Sequence, residues 1–218
     1  MAAIVPLFTP AQVEKLTLAF HAGAASASEA MTKWLSRPTV ITIDSVDQCS
    51  LEQAPTILGD TGDEVCMCLM QMGGDLSGPM ILAFDDVSGL VLADIVLGRQ
   101  KGTSSGWDEF EKSAVLESMN IVGCAYLNGM ARCLSKDDES VTLVPAPPIF
   151  LRDFAESLLQ MAFMEQATEG RSVIFARARF EMQGAPIKWT FLLIPDPPSI
   201  ARLSQLLQGD LSSSGRPQ

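Results

Sequence analysis

The stretch that decides the fold runs from Trp107 to Ala131 and reads WDEFEKSAVLESMNIVGCAYLNGMA. Its apolar residues recur at helical spacing, and its first turn carries Asp108, Glu109 and Glu111, the charge that the amino end of a helix dipole favours. We therefore predict a long helix over 108–134. Its apolar side, which we expect to pack on a sheet, comprises Val115, Leu116, Met119, Val122, Tyr126, Leu127, Met130, Cys133 and Leu134.

The opposite side of this helix is polar. Ser113, Glu117, Asn120, Cys124 and Asn128 recur every three or four residues, which places them on one face at about 100° per residue. The Glu117 carboxylate and the Asn120 carboxamide should project side by side, and a carboxamide can both donate to and accept from a water molecule. No residue on this face is a strong base, so it could assist a reaction whose metal and electrophile come from another protein. Taken alone, such a stripe is typical of a solvated helix face.

The rest of the chain predicts further helices and strands. A capping box at Thr9 and Gln12 begins a helix over 10–36, and a polar linker over 98–106 precedes the long helix. We predict strands over 39–45, 64–72, 79–84, 141–144, 172–182 and 188–194, and helices over 85–97, 150–167 and 199–207. Residues 210–218 are rich in serine and glycine, and we expect a disordered tail there.

The two parts of the chain resemble each other weakly. An offset of 99 residues aligns Met31, Leu35 and Ser36 with Met130, Leu134 and Ser135, and an offset of 111 aligns Asp85, Ser88, Leu92 and Gly98 with Asp196, Ser199, Leu203 and Gly209. A repeat of this length favours two pseudosymmetric halves of one structure over a solenoid. We therefore predict a single domain over 1–218 with halves at about 10–98 and 107–209. Its fold class would be α/β (α+β), with one mainly antiparallel sheet built from both halves and two long helices packed on it.

Composition excludes several classes of function. With 15 basic and 26 acidic residues the chain carries a formal charge of -11, which disfavours nucleic acid and anionic membrane surfaces as partners. Its apolar runs fall short of the roughly 20 residues that span a bilayer, and its first residues lack a basic signal region, so we expect a cytoplasmic protein. Five cysteines in mostly apolar surroundings predict buried thiols. With His21 as the single histidine, we expect no metal site and disfavour a histidine-dependent hydrolase.

The long helix resembles the phosphatase helix of the CheC, CheX and FliY family of chemotaxis proteins. That family's pattern is Asp or Ser, three residues, Glu, two residues and Asn, followed later by a proline; Ser113, Glu117 and Asn120 fit it without a gap. The family proline falls at Pro145, Pro147 or Pro148, at a longer separation than usual. Further landmarks, at 73–84, 90–98, Pro148 with Asp153, and 194–196, extend the resemblance over most of 10–209, closest to CheC.

The resemblance implies a duplicated CheC-like fold and a phosphatase that removes the aspartyl phosphate of a CheY-type response regulator, ending a chemotaxis or motility signal. Asn120 would position the attacking water and Glu117 would pair with the active-site lysine of the regulator. Ser113 and Cys124 would contact the partner beside them. The regulator would supply the phosphate and Mg²⁺, so the chain itself would bind no cofactor.

In this family each half can carry such a site. Here the equivalent first-half residues are Glu14, Leu18 and His21, so an apolar side chain replaces the Glu and the Asn is missing. We expect this first site to be degenerate and inactive.

Two alternatives stay open at this point. One is a non-catalytic binding protein related to the flagellar switch components FliM and FliN, which resemble the family without its phosphatase residues. The other is a regulator that acts through the deamidase CheD, which binds members of the CheC group.

Overall fold

The fold contains helices and strands from both predicted halves, in a computed structural model that describes residues 7–50, 64–136, 139–163, 172–182 and 185–208. The helices in these ranges are α1 (Pro10–Leu35), α2 (Asp86–Val96), α3 (Glu109–Leu134), α4 (Ala155–Phe163) and α5 (Pro197–Leu206). The strands are β1 (Thr39–Ser50), β2 (Glu64–Gly74), β3 (Gly78–Phe84), β4 (Leu143–Pro145), β5 (Ile149–Phe154), β6 (Ser172–Met182) and β7 (Ala185–Leu193).

Side chains cap α1, α2 and α5, whose first residues lie within two positions of the predicted starts. The backbone N–H of Gln12 donates to Thr9 Oγ1 at 3.3 Å, and the N–H of Thr9 donates to Gln12 Oε1 at 3.0 Å, which completes the capping box of α1. Asp85 accepts from the N–H of Ser88 at 2.6 Å to cap α2. Asp196 caps α5 in the same way, accepting from the N–H of Ser199 at 2.8 Å. These two caps are the residues that the offset of 111 aligns, so the weak sequence repeat corresponds to repeated local structure.

One sheet joins both parts of the chain. Its strand order is β1-β6-β7-β3-β2-β4, with β5 also paired to β2, and each of these pairings is antiparallel. Read from its two ends, the order places β1 opposite β4, β6 opposite β2 and β7 opposite β3. The first strand of each half therefore pairs with the hairpin of the other half: β1 pairs with the hairpin β6–β7, and β4 pairs with the hairpin β2–β3. The predicted architecture, a mainly antiparallel sheet built from both halves with two long helices, is confirmed.

The core lies on both faces of this sheet. Cys66, Cys68 and Met70 of β2 belong to the large cluster beneath α1 and α3, whereas Val65, Met67 and Leu69 pack with Leu158 and Leu159 of α4. Because β2 is buried on both faces, its sequence is a continuous apolar run and lacks the alternation of a half-exposed strand.

Aromatic rings join the two long helices to the sheet. The ring of Tyr126 on α3 stacks on Phe191 of β7 with 4.6 Å between centroids, and Phe20 of α1 meets Tyr126 edge-on at 5.9 Å. The helices themselves approach closely at Gly129, where an added Cβ would lie 2.5 Å from the carbonyl oxygen of Ala22. A side chain at this position would hold the helices apart, which explains the glycine.

The helix predicted over 150–167 is wrong in its first part. Residues Ile149–Phe154 form β5, which pairs with β2 from Leu69↔Ile149 to Glu64↔Phe154. The buried backbone of β2 needs hydrogen-bond partners on its outer side, and this requirement outweighs the helical pattern of the segment. Residues 155–163 are helical as predicted, and 164–167 lie outside the described residues.

Other predicted boundaries differ by a few residues. β1 continues to Ser50, well past residue 45, because β6 offers it a partner as far as Ser172, with a register irregularity between Ile43 and Ser45. β4 begins at Leu143 rather than 141, and α5 begins at Pro197 rather than 199. The tail predicted over 210–218 lies outside the described residues.

Candidate functional site

The exposed face of α3 is the one that the sequence predicts. Ser113, Glu117 and Asn128 are exposed, and Asn120 and Cys124 are partly exposed. The Cys124 thiol lies 3.7 Å from Asn120 Oδ1 and donates to it. Burial and, secondarily, the charge of Glu117 raise the pKa of the Cys124 thiol, which keeps it protonated and able to donate. Glu117, Asn120 and Cys124 therefore form one connected polar patch.

A proline-containing segment faces this patch across a surface depression of about 580 Å³. On the helix side the depression is lined by Glu109, Lys112, Ser113, Leu116, Glu117 and Asn120, and on the other side by Pro147, Pro148, Ile149 and Phe150. We call residues 147–150 the proline wall. Of the three prolines that could match the family position, Pro145 is paired with Met72 in the sheet, whereas Pro147 and Pro148 line the depression together with Glu117 and Asn120.

Leu116 differs from its prediction. The sequence assigns it to the buried side of α3, but it is partly exposed and lines the depression. Leu116 lies at the border between the sheet-facing side and the open side of α3. Its burial therefore depends on how closely the proline wall, about 30 residues further along the chain, covers it. Cys133, also assigned to the buried side, is partly exposed; the other residues of that side are buried.

A buried polar network fixes the beginning of α3. Asp94, fully buried on α2, accepts hydrogen bonds from the N–H of Thr103 at 2.9 Å, the N–H of Ser104 at 3.0 Å and the Ser104 hydroxyl at 2.7 Å. The same hydroxyl oxygen lies 2.9 Å from Glu111 Oε1, so its single proton bridges the two carboxylates, and Glu111 also pairs with Arg99. The linker is thus tied to both helices it connects, which sets where the exposed face of α3 begins.

The corresponding residues of α1 have different surroundings. Glu14, Leu18 and His21 are all exposed, and Leu18 retains 54% of its accessible surface. Where α3 presents a carboxylate, α1 presents an apolar side chain to solvent. None of these three residues lines the depression beside α3 or the one next to the start of α1.

The described residues contain no group of three or more His, Cys, Asp or Glu side chains placed to hold a metal ion. Cys66 and Cys68 are buried on one face of β2 and Cys124 and Cys133 are partly buried, while the Cys49 side chain lies outside the described part. None of the described helices combines the length and the apolar character that a bilayer crossing requires.

The chemistry open to this site follows from its groups. The depression is lined by the carboxylates of Glu109 and Glu117, the Asn120 carboxamide, the Ser113 hydroxyl and the Lys112 ammonium, and none of its lining residues is a histidine. Such groups can orient a water molecule and form ion pairs with charged groups of a second molecule. None of the lining residues is buried; half of them are exposed and half partly exposed, which suits a protein surface as that second molecule.

Comparison with known proteins identifies the fold. No protein-family model matches the sequence. Among solved structures, FliY from Thermotoga maritima superposes with a TM-score of 0.76 at 17% identity, covering 93% of this chain and 98% of its own. The FliM middle domain from H. pylori superposes with a TM-score of 0.63 at 10% identity, covering 92% of this chain and 98% of its own. The chain therefore has the fold of FliY, as its resemblance to the CheC, CheX and FliY family of chemotaxis proteins predicts.

Proposed function

We propose that this chain is a phosphatase that hydrolyses the aspartyl phosphate of a CheY-type response regulator and so ends a chemotaxis or motility signal. The observation that carries the proposal is the placement of Glu117 and Asn120 side by side on the open face of α3, opposite Pro147 and Pro148. The FliY fold and the fit of Ser113, Glu117 and Asn120 to the phosphatase pattern support it.

Asn120 is the residue that acts on the water. Its carboxamide can accept a hydrogen bond from an attacking water and donate another, which orients the oxygen lone pair toward phosphorus. Hydrolysis of a phosphoryl group depends mainly on such positioning and on compensation of charge. The regulator supplies the compensation through its own Mg²⁺, and its aspartate carboxylate leaves as phosphate forms. The site needs no nucleophile of its own.

Glu117 serves docking. Its exposed carboxylate can form a charge-assisted hydrogen bond with the active-site lysine of the regulator, which fixes the register in which Asn120 enters. Ser113 lies one turn before Glu117, and Cys124 donates to Asn120, so both contact the partner at the edge of the same patch. A response regulator as substrate also implies a cytoplasmic location.

Phosphate release tests the proposal. A receiver domain is charged with acetyl phosphate and Mg²⁺, and phosphate is measured with and without the chain. We expect the chain to accelerate release, and Glu117→Ala to weaken binding of the receiver and to lower the rate together. Asn128→Ala is the matched control, because Asn128 is exposed on the same helix but lies outside the depression. Equal release with and without the wild-type chain would exclude the proposal.

The second candidate is a non-catalytic binding protein of the flagellar switch type. The likeness to the FliM middle domain favours it, and FliM from H. pylori has been crystallised in a complex with FliG. The exposed Leu18 on α1 is in keeping with a binding surface in place of a first catalytic site. Binding of the receiver domain without any acceleration of phosphate release would favour this candidate.

A further inference from the structure

One carboxylate receives hydrogen bonds from three separate parts of the fold. Asp86, the first residue of α2, accepts from Arg152 Nε at 2.9 Å and Trp107 Nε1 at 2.8 Å through Oδ1, and from Arg152 Nη2 at 2.7 Å through Oδ2. The Cys66 thiol of β2 also donates to Oδ1, at 3.1 Å. We call Asp86 and these three donors the Asp86 junction. Its arginine contact is bidentate, the geometry with the strongest directional preference among ion pairs.

The junction connects the two sides of the depression. Arg152 belongs to β5, the strand that begins in the proline wall with Ile149 and Phe150. Trp107 immediately precedes Asp108, the residue that caps α3. The ring of Trp107 also packs on that of Phe150, with 4.7 Å between centroids. Both the wall and the start of the catalytic helix are thus attached to the same carboxylate.

Packing around the junction leaves little freedom. A Cβ added to Gly89 of α2 would lie 2.7 Å from the Trp107 ring and 2.5 Å from the Phe84 ring, so α2 contacts these rings directly. Hydrogen bonds from Arg152 hold the pKa of the Asp86 carboxyl well below its usual range, which keeps it charged at neutral pH. A second carboxylate, Glu64, forms an ion pair with Arg152, with 2.7 Å between Glu64 Oε2 and Arg152 Nη2, and further orients the guanidinium.

We propose that Asp86 and Arg152 are positioning residues, which hold the proline wall at a fixed place relative to Glu117 and Asn120 without touching the substrate. The effect on the rate rests on the proposed phosphatase function; the effect on the wall does not. If the proline wall moves, the surface of the regulator fits the depression less well, and Asn120 is no longer aligned with the phosphoryl group. The rate then falls, because such reactions depend on sub-ångström placement of the reacting groups. The residues that form the junction come from four distant parts of the sequence.

The test compares two arginines that each make a bidentate contact with an aspartate. Arg152→Lys keeps the charge but loses the bidentate contact with Asp86. Arg179→Lys is the control: Arg179 makes a bidentate contact with Asp44 at 2.7 and 2.8 Å, and the two aspartates are equally exposed, at 37% for Asp44 and 38% for Asp86, although Arg179 is 61% exposed and Arg152 34%. That pair lies on β1 and β6, at the opposite edge of the sheet from β5. Trp107→Phe, which keeps a ring but removes the N–H donor, is a second variant of the junction.

Two readouts separate positioning from stability and from the proposed function. Amide hydrogen exchange over 149–154 reports on β5, the strand that carries Ile149 and Phe150 of the wall, and steady-state phosphate release from the charged receiver reports on chemistry. We expect Arg152→Lys and Trp107→Phe to speed exchange over 149–154 and to lower kcat about tenfold, while Arg179→Lys changes neither, at similar thermal stability.

Each contrary result has a distinct meaning. Exchange over 149–154 that is the same in Arg152→Lys and Arg179→Lys would overturn the positioning role. Faster exchange with unchanged kcat would also overturn it, since the junction would then serve the fold alone. A wild-type chain that releases no phosphate, with faster exchange in Arg152→Lys, would refute the phosphatase and leave the junction as the device that holds the wall.

Discussion

Gly129→Ala should destabilise the crossing of α1 and α3. The new Cβ would lie 2.5 Å from the carbonyl oxygen of Ala22 and 2.9 Å from the Cα of Gly23, both backbone atoms of α1. A backbone cannot rotate away as a side chain can, so the two helices must separate. Because α3 carries the candidate site, this crossing determines how the site is seated on the rest of the fold.

The magnitude follows from two opposing terms. Replacing a glycine in a helix interior by alanine gains about 1 kcal/mol in helix propensity. Overpacking of a rigid contact costs about 1–3 kcal/mol, and backbone contacts this short belong at the upper end. We therefore expect Gly129→Ala to lower the free energy of unfolding by about 2 kcal/mol.

Gly123→Ala is the matched control on the same helix. Its Cβ would meet Sδ and Cε of Met70 at 2.7 and 2.8 Å, which are the mobile end of a flexible side chain. With the same propensity gain and a smaller packing cost, we expect its stability to stay within about 1 kcal/mol of the wild type. In urea unfolding followed by circular dichroism, the midpoint of Gly129→Ala should fall by about 1 M. Equal midpoints for the two variants, or a more stable Gly129→Ala, would refute the reasoning.

Three further predictions concern individual side chains. Tyr126 is buried and its hydroxyl has no hydrogen-bond partner among the described residues, so Tyr126→Phe should keep or raise the unfolding free energy, by up to about 1 kcal/mol; a loss above about 1 kcal/mol would reveal a missing partner. Because the pKa of Asp86 is lowered in the folded state, its stabilisation is complete above its ordinary pKa near 4 and is lost as the pH falls toward the lowered value. The difference in thermal stability between the wild type and Asp86→Asn should therefore be constant from pH 7 to about pH 5 and shrink below about pH 4, and a difference that grows with acid would contradict this assignment. His21→Ala should leave phosphate release and its pH profile unchanged, whereas a lost pH dependence would indicate that the first half takes part in the reaction.

Local signals in the sequence predict much of this structure. The capping box at Thr9 and Gln12 and the spacing of apolar residues over 108–134 define the two long helices, because both depend on contacts within a few residues. The exposed face with Glu117 and Asn120 follows from the same helical geometry. The repeated caps at Asp85 and Asp196 show that the weak duplication of the sequence corresponds to two equivalent helix starts.

What the sequence could not predict depends on contacts between distant segments. Residues 150–154 carry a helical pattern, but β2 recruits them as a strand because its buried backbone needs partners. That Pro145 lies in the sheet while Pro147 and Pro148 line the depression could not be predicted, because it depends on where β4 ends against β2. The Asp86 junction joins four distant residues, and no local pattern marks an aspartate that will bind an arginine 66 positions away.

The most direct test of the central claim is the decay of a phosphorylated CheY-type receiver domain after acetyl phosphate is removed, with Mg²⁺ and an excess of this chain present. The wild type and Asn128→Ala should accelerate the decay alike. Asn120→Ala should still bind the receiver but slow the accelerated reaction by about 100-fold or more, because the oriented water is lost while the docking contact of Glu117 remains. An Asn120→Ala chain that dephosphorylates the receiver as fast as Asn128→Ala would contradict the account.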